Sequence, residues 1–411
     1  MNRRTVVTGI GIVAPNGIGK DAYWAATLKG TSGIKPITRF DGRSYGLNFA
    51  GEVEGFSATD YIDQRLVVQS DRWTWMALAA TQMALKDAAL EVGREQPYKL
   101  SVITASSSGG NEFGQKEIQN LWSKGPVFVG AYQSIAWFYA ATTGQIAIKY
   151  GAKGPCGVVI SECAGGLDAL AHARRTIRRG VDVVISGGTE APLTPYAIAC
   201  QMQNGCLSRG SDARTAYAPF DRRASGYVPG EGGAILLLEE LEHARARNAQ
   251  IYAEVAGHAS THDAYDHSRP SPDPCHYSRA MALALKDAGA SPEEVDVIFA
   301  DGIGIPDLDA LEVCSIRGVF GARASRIPVT APKSMVGRLY AGSAALDVGT
   351  CLLAMRDGVI PPTINYSEPA AGCDLDIVHG EPRQQPVRTA LVAQRGWGGF
   401  NSAMVLRTYQ G

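Results

Sequence analysis

Val158-Val159-Ile160-Ser161-Glu162-Cys163-Ala164-Gly165-Gly166-Leu167-Asp168-Ala169-Leu170 reads as a buried strand, a cysteine, a run of small residues and the start of a helix. Strands covered on both faces lack the polar alternation of half-exposed ones, so an apolar run that turns at once into a helix points to a layered α/β fold. Runs of the same kind recur at Val6-Val7-Thr8-Gly9, Ser101-Val102-Ile103-Thr104 and Val183-Val184-Ile185-Ser186-Gly187-Gly188, with amphipathic stretches at Trp73 to Leu90 and Leu167 to Arg179 between them. Strand and helix therefore alternate, as in a doubly wound sheet with helices on both faces. Past the charged, polar segment Arg245 to Gln250 the plan starts again with Ile251-Tyr252-Ala253-Glu254-Val255, Val297-Ile298-Phe299-Ala300, a helical Ala344 to Met355, and Thr389-Ala390-Leu391-Val392-Ala393. Two α/β halves, 1–250 and 251–411, are expected. The repetition is one of element order, with no repeated sequence period in view.

Composition agrees with a large core. The 411 residues are 45% hydrophobic and only 19% charged, with 47 Gly and 21 Pro, which excludes disorder and coiled coil. Lys and Arg total 39 against 40 Asp and Glu, so no global charge is available to grip nucleic acid or an anionic membrane. No apolar run approaches the roughly 20 residues of a membrane helix, and the glycine-broken start, Met1 to Pro15, reads as a strand rather than a signal peptide. The eight cysteines form no C-x-x-C pair, so neither a zinc site nor a disulfide framework is expected. A cytoplasmic, reduced protein without a metal follows as the expectation.

Cys163 is the candidate reactive group. A thiol on a strand-to-helix elbow meets unpaired N–H groups and a helix dipole that favour the thiolate, and a backbone amide there can hold an oxyanion. A small cysteine packed under a tight turn is the alternative from spacing alone. Arg174, Arg175, Arg178 and Arg179, late in the following helix, read as a solvated face, with docking of an acidic carrier protein as the other possibility.

Several motifs in order carry a resemblance. Thr8-Gly9-Ile10-Gly11 with Pro15-Asn16-Gly17, Pro219-Phe220-Asp221 with Gly230-Glu231-Gly232-Gly233-Ala234, Pro332-Lys333-Ser334 with Gly337, and Gly398-Gly399-Phe400-Asn401-Ser402-Ala403 resemble the β-ketoacyl synthases from end to end. The resemblance implies the thiolase fold, a five-layered α-β-α-β-α body of two related halves. It also implies a cysteine that holds the growing acyl chain and two histidines that drive decarboxylation of the extender. In this chain the histidine positions are Asp301 and Arg338, and none of the seven histidines matches, although a loop bearing His258, His262 and His267 is placed to approach the site. Asp301 offers acceptors where an enolate needs donors, Arg338 cannot exchange a proton near neutral pH, and a nearby carboxylate opposes a thiolate. An Asp301 to Arg338 contact is expected.

With both histidines gone, and with Tyr132-Gln133-Ser134-Ile135-Ala136-Trp137-Phe138-Tyr139, Thr143-Gly144-Gln145-Ile146 and Gly337-Arg338-Leu339-Tyr340, the chain resembles one branch in particular. That branch is the chain length factor, or ketosynthase beta subunit, of type II polyketide synthases. The resemblance implies a non-condensing subunit paired with a ketosynthase alpha subunit across the strand near Val158 to Ser161. Substrates would arrive on the phosphopantetheine arm of an acyl carrier protein, and no further cofactor is expected. It also implies a chain-length tunnel gated by the helix after Ser106-Ser107-Ser108-Gly109-Gly110, at Asn111, Gly114 and Ile118, where small side chains leave room for a long product. The branch usually carries glutamine where Cys163 stands. A thiolase-fold acyltransferase using Cys163 for priming, decarboxylation or thioester chemistry therefore stays open.

Overall fold

The protein is described from a computed structural model covering residues 3–410. Strands Thr5–Ala14, Leu100–Ala105, Gly157–Val159, Val183–Glu190 and Gly232–Glu240 make the first half of the sheet. Numbered by chain order they lie 3-2-4-5-1, the first three parallel and the last two antiparallel. Ala253–His262, Val297–Phe299, Pro328–Thr330, Thr389–Gly396 and Phe400–Arg407 repeat both the order and the senses, with a short Asp376–Ile377 strand added at the outer edge. The halves join where Val6 and Val7 pair with Glu254 and Ala253.

Helices complete five layers. Arg72–Asp87 covers the outside of the first half and Cys275–Ala288 that of the second, while Gly165–Arg178 and Ala341–Asp357 pack between them. The middle position explains the last helix's composition: every residue from Ala341 to Met355 is buried, so it is apolar all round apart from a few paired polar groups. Arg72–Asp87 starts where the Asp71 side chain accepts the Trp73 N–H, and it buries Trp73, Met76, Ala77 and Ala80. The α-β-α-β-α layering is the one expected.

Three expectations need correction. A short sequence repeat does exist: Ala84-Leu85-Lys86-Asp87-Ala88 recurs as Ala284-Leu285-Lys286-Asp287-Ala288. Gly9 and Gly257 lie under these copies, and a Cβ on either would fall 2.2 Å from Ala84 O or 2.3 Å from Ala284 O. Asp87 accepts the Ile10 N–H at 2.9 Å and Asp287 the His258 N–H at 3.0 Å. No period was visible because the glycine and the pentapeptide stand at different separations in the two halves.

The run Val158 to Ser161 is not a buried strand. Only Gly157–Val159 is extended, half-buried at the outer edge of the sheet, and Ile160 is 51% exposed. Arg174 is not on a solvated face either: it is buried, bonded to Asp287 and to the Ala256 carbonyl, whereas Arg175, Arg178 and Arg179 are exposed.

Candidate active site

The chain leaves the Gly157–Val159 strand and turns through a short 3₁₀ segment, Glu162–Ala164, into the Gly165–Arg178 helix. Glu162 has φ +49°, a left-handed backbone that non-glycine residues adopt at a cost of about 1–2 kcal/mol. Its carboxylate is held by three donors. Oε2 accepts the N–H of Cys163 at 2.6 Å and of Trp397 at 2.8 Å, and Oε1 accepts the Cys163 thiol at 3.1 Å. The adjoining glycine is needed for the layers to meet, since a Cβ on Gly166 would fall 2.6 Å from Ala341 O.

These contacts reverse the expectation of a favoured thiolate. Cys163 is fully buried, and burial pushes its thiol well above the usual range, with Arg338 opposing and the Glu162 and Asp301 carboxylates adding to the shift. The helix N-terminus does not win, because its free N–H is already bonded to a carboxylate.

Asp301 follows the Val297–Phe299 strand and Arg338 the Pro332–Met335 turn. Arg338 Nη1 donates to Asp301 Oδ1 at 3.0 Å, and Nη2 donates to the Arg395 carbonyl at 2.8 Å. Burial alone would raise the Asp301 carboxyl, but Arg338, Lys333 and Arg395 outweigh it and hold it below the ordinary carboxylate range. Asp301 Oδ2 has no hydrogen-bond partner among the described residues and lies 3.9 Å from Arg395 Nε. Lys333 in turn pairs with Asp347 at 2.7 Å. Asp301, Arg338, Lys333, Asp347 and Arg395 thus form a buried ion-pair network beside Cys163, with one Asp301 oxygen left without a hydrogen bond.

A cavity of about 500 Å³ opens over this floor, lined by Glu162, Tyr227, Arg338, Tyr340, Trp397 and, at its mouth, His267. Glu162 lines it and Cys163 does not. The three histidines do not share one loop, contrary to expectation. His258 and His262 lie in the Ala253–His262 strand, where His258 bonds Asp168 at 3.1 Å and Ser402 at 3.0 Å and His262 packs edge-on to Phe400. Asp273, Cys275 and His276, which the sequence reading passed over, form a possible metal-ligating group at the start of a helix. Two of the three are exposed, and the Cys275 thiol donates to Asp273.

Asn111, Gly114 and Ile118 share one face of the Asn111–Lys124 helix. The room ascribed to Gly114 is already filled: a Cβ there would lie 2.8 Å from Cε2 and Nε1 of the Trp137 indole. Glycine lets the tryptophan approach rather than leaving a void. Late in this helix and just beyond it the chain exposes large apolar side chains, Trp122 by 82%, Val127 by 87% and Phe138 by 57%. Glu162 and Trp397 are the site residues that reasoning from sequence missed. The one available signal was a carboxylate next to the cysteine.

Comparison with known proteins gives the family and the fold. Residues 2–244 match the family described as the N-terminal domain of β-ketoacyl synthase, and residues 252–367 match its C-terminal domain. A Streptomyces glaucescens protein named the tetracenomycin polyketide synthase ketoacyl synthase beta subunit is 52% identical over 407 residues, 98% of each chain. The actinorhodin polyketide putative beta-ketoacyl synthase 2 of Streptomyces coelicolor is 49% identical over 405 residues, again 98% of each. Among solved structures, the ishigamide ketosynthase/chain length factor superposes with a TM-score of 0.92 at 32% identity, covering all of both chains. A type II acyl-carrier protein in complex with its ketosynthase bound to the hexaketide gives the same score, identity and coverage.

Proposed function

The chain belongs to the β-ketoacyl synthase family, and from that premise we propose that it is the non-condensing beta subunit of a type II polyketide synthase, setting chain length beside an active ketosynthase alpha subunit. The observation that carries this is the buried Asp301–Arg338 pair at 3.0 Å, formed by the two residues that the motif resemblance sets at the family's histidine positions. Decarboxylative condensation needs neutral donors at the developing enolate and a group that exchanges protons near neutral pH, and this pair supplies neither. The edge strand and the exposed Trp122, Val127, Phe138 and Ile160 fit a large subunit interface, since a soluble monomer seldom leaves so much apolar surface uncovered. We assign the family's halves to 1–250 and 251–411. The acyl substrates are carried on the phosphopantetheine arm of an acyl carrier protein, and the residues of the site call for no additional cofactor. Among the described residues no helix is long and apolar enough to cross a membrane.

A second reading has one observation in its favour. Cys163 is a thiol with a carboxylate at 3.1 Å, the geometry a base-assisted acyl acceptor would use in priming or thioester exchange. Incubation of the purified chain with a malonyl carrier protein, with and without its ketosynthase, tests both. Ketide formation only with the ketosynthase, and no acyl mass on Cys163, is expected. Steady ketide formation by the chain alone would overturn the first reading, and rapid acylation of Cys163 would favour the second.

A further inference from the structure

Outside the residues that line the cavity, the loop after the Ala253–His262 strand enters the Cys275–Ala288 helix through a group of metal-type donors. Asp273, Cys275 and His276 present a carboxylate oxygen, a sulfur and a ring nitrogen, all within 4.8 Å of one another. Their backbone is fixed by neighbours. Ser271 Oγ accepts the Asp273 N–H at 3.1 Å, the Ser278 and Ser315 hydroxyls donate to the Pro274 carbonyl at 3.0 and 3.2 Å, and the Thr261 hydroxyl donates to the His276 carbonyl at 2.7 Å. Asp273 divides its two oxygens. Oδ1 accepts the Cys275 N–H at 2.9 Å and holds the start of the helix, which leaves Oδ2 facing the Cys275 thiol at 3.0 Å.

We propose that Asp273, Cys275 and His276 bind a divalent cation of the zinc class. The donor set selects the ion: sulfur, nitrogen and oxygen together suit a borderline-soft cation, whereas magnesium and calcium take oxygen throughout and would find a single carboxylate here. A tetrahedral zinc ion with bonds of about 2.0 to 2.3 Å keeps its donor atoms roughly 3.5 Å apart, so small side-chain rotations close the set. The Asp263 carboxylate adds its charge to that of Asp273 at the thiol, with Arg279, one helical turn on, opposing. Asp263 is itself engaged by the Ser271 N–H at 2.9 Å and the Asn401 amide at 2.7 Å, so it contributes charge rather than a ligand atom. On binding, the Cys275 S–H bond breaks, its proton goes to the buffer and the sulfur electron pair goes to the metal. Three protein ligands leave the fourth position to water. The lack of a C-x-x-C pair excludes only sites built on paired cysteines, and this mixed set does not use that spacing. The site is independent of the chain-length reading.

The test titrates the full chain, first treated with a chelator, with cobalt(II). The near-ultraviolet charge-transfer band reports a bond from thiolate to cobalt, and the visible bands report tetrahedral geometry. Saturation at one cobalt per chain, reversed by zinc, is expected. Cys275→Ser should abolish the charge-transfer band. Asp273→Asn, which keeps an acceptor for the Cys275 N–H, and His276→Gln should each weaken binding by at least about tenfold, the lower end of what loss of even an outer-shell partner brings. Asp273 and Cys275 are exposed and His276 is half-buried, so all three variants should keep the native circular dichroism. A band that persists in Cys275→Ser comes from exposed Cys156, Cys200 or Cys314 and overturns the proposal. Affinity unchanged in Asp273→Asn and His276→Gln also overturns it, because a lone thiol is then the ligand. Absence of any band with cobalt in excess does the same.

Discussion

Glu162 and Trp397 are joined by a hydrogen bond of 2.8 Å from the Trp397 N–H to the carboxylate, which ties the elbow to the loop after the Thr389–Gly396 strand. The same carboxylate oxygen takes the Cys163 N–H at 2.6 Å. Two backbone donors that converge on one point form the usual means of holding an oxyanion, and here a resident anion occupies them. Both donors at the elbow are thus engaged by the chain itself.

Removing that carboxylate should expose the thiol. Glu162→Gly suits the left-handed backbone, takes away the acceptor of the Cys163 S–H and opens the floor of the cavity. Alkylation of Cys163 by iodoacetamide, followed by peptide mass spectrometry with exposed Cys200 as the internal standard, is expected to be far slower than at Cys200 in the native chain. In the variant it should quicken by about tenfold or more, the effect of one unit of thiol acidity. Equal rates at Cys163 in both proteins would show that Glu162 does not guard it.

The buried pair should behave as a unit. Arg338→Met leaves Asp301 charged with its main partner gone, which costs about 3–5 kcal/mol at a buried site. Asp301→Asn combined with Arg338→Met removes both charges and should recover most of that loss. Urea midpoints of the three proteins decide the matter. A double variant no more stable than Arg338→Met would mean that the network around Arg395 and Lys333, rather than the pair, carries the stability.

The contrast between what sequence disclosed and what it withheld is physical. Val183 to Gly188 was legible as a buried strand because it has neighbours on both sides, whereas Val158 to Ser161 has the same composition and stands at an edge, and strand order is not written in any local pattern. Cys163, Asp301 and Arg338 were found through the order of motifs, but the role of Glu162 depends on a positive φ that curls its side chain back on its own neighbour. Gly114 was read as space, and Arg174 as solvated, because each is decided by a distant partner, Trp137 in one case and Asp287 in the other.

Stability should fall as pH rises through neutrality. Burial raises Glu190 to about 8, against the donors Ser107 and Ser108, and raises Asp71 and Asp309 to about 7 each. These carboxyls stay protonated in the folded protein while the unfolded chain has released its protons above about 4.5. The folded state therefore binds more protons between the two values, and its advantage, complete below the unfolded values, is lost up to about 8. Melting temperatures between pH 5 and 8 should decline, and Glu190→Gln should flatten the profile. An unchanged slope in that variant would remove Glu190 from the account.

The edge strand makes the last prediction. Gly157–Val159 pairs only with Leu100–Ala105 and has no partner on its outer side among the described residues, and Ile160, the next residue but one past Val158, is more than half exposed. An open edge beside apolar surface is a pairing site, and proteins that stay single protect such edges with charge, proline or a bulge. None of these interrupts Val158-Val159-Ile160. An obligate subunit contact buries more than about 2,000 Å² and has an apolar centre, so one charge placed there is felt by the whole interface. Ile160→Asp is expected to leave the chain folded by circular dichroism, because the side chain is exposed, yet to abolish the complex with the ketosynthase in sedimentation at low micromolar concentration. Ile148→Asp, also exposed at 77% but on the Ala141–Tyr150 helix, is the control for a generic surface charge. If Ile160→Asp sediments with its ketosynthase as the native chain does, the pairing edge lies elsewhere on the molecule.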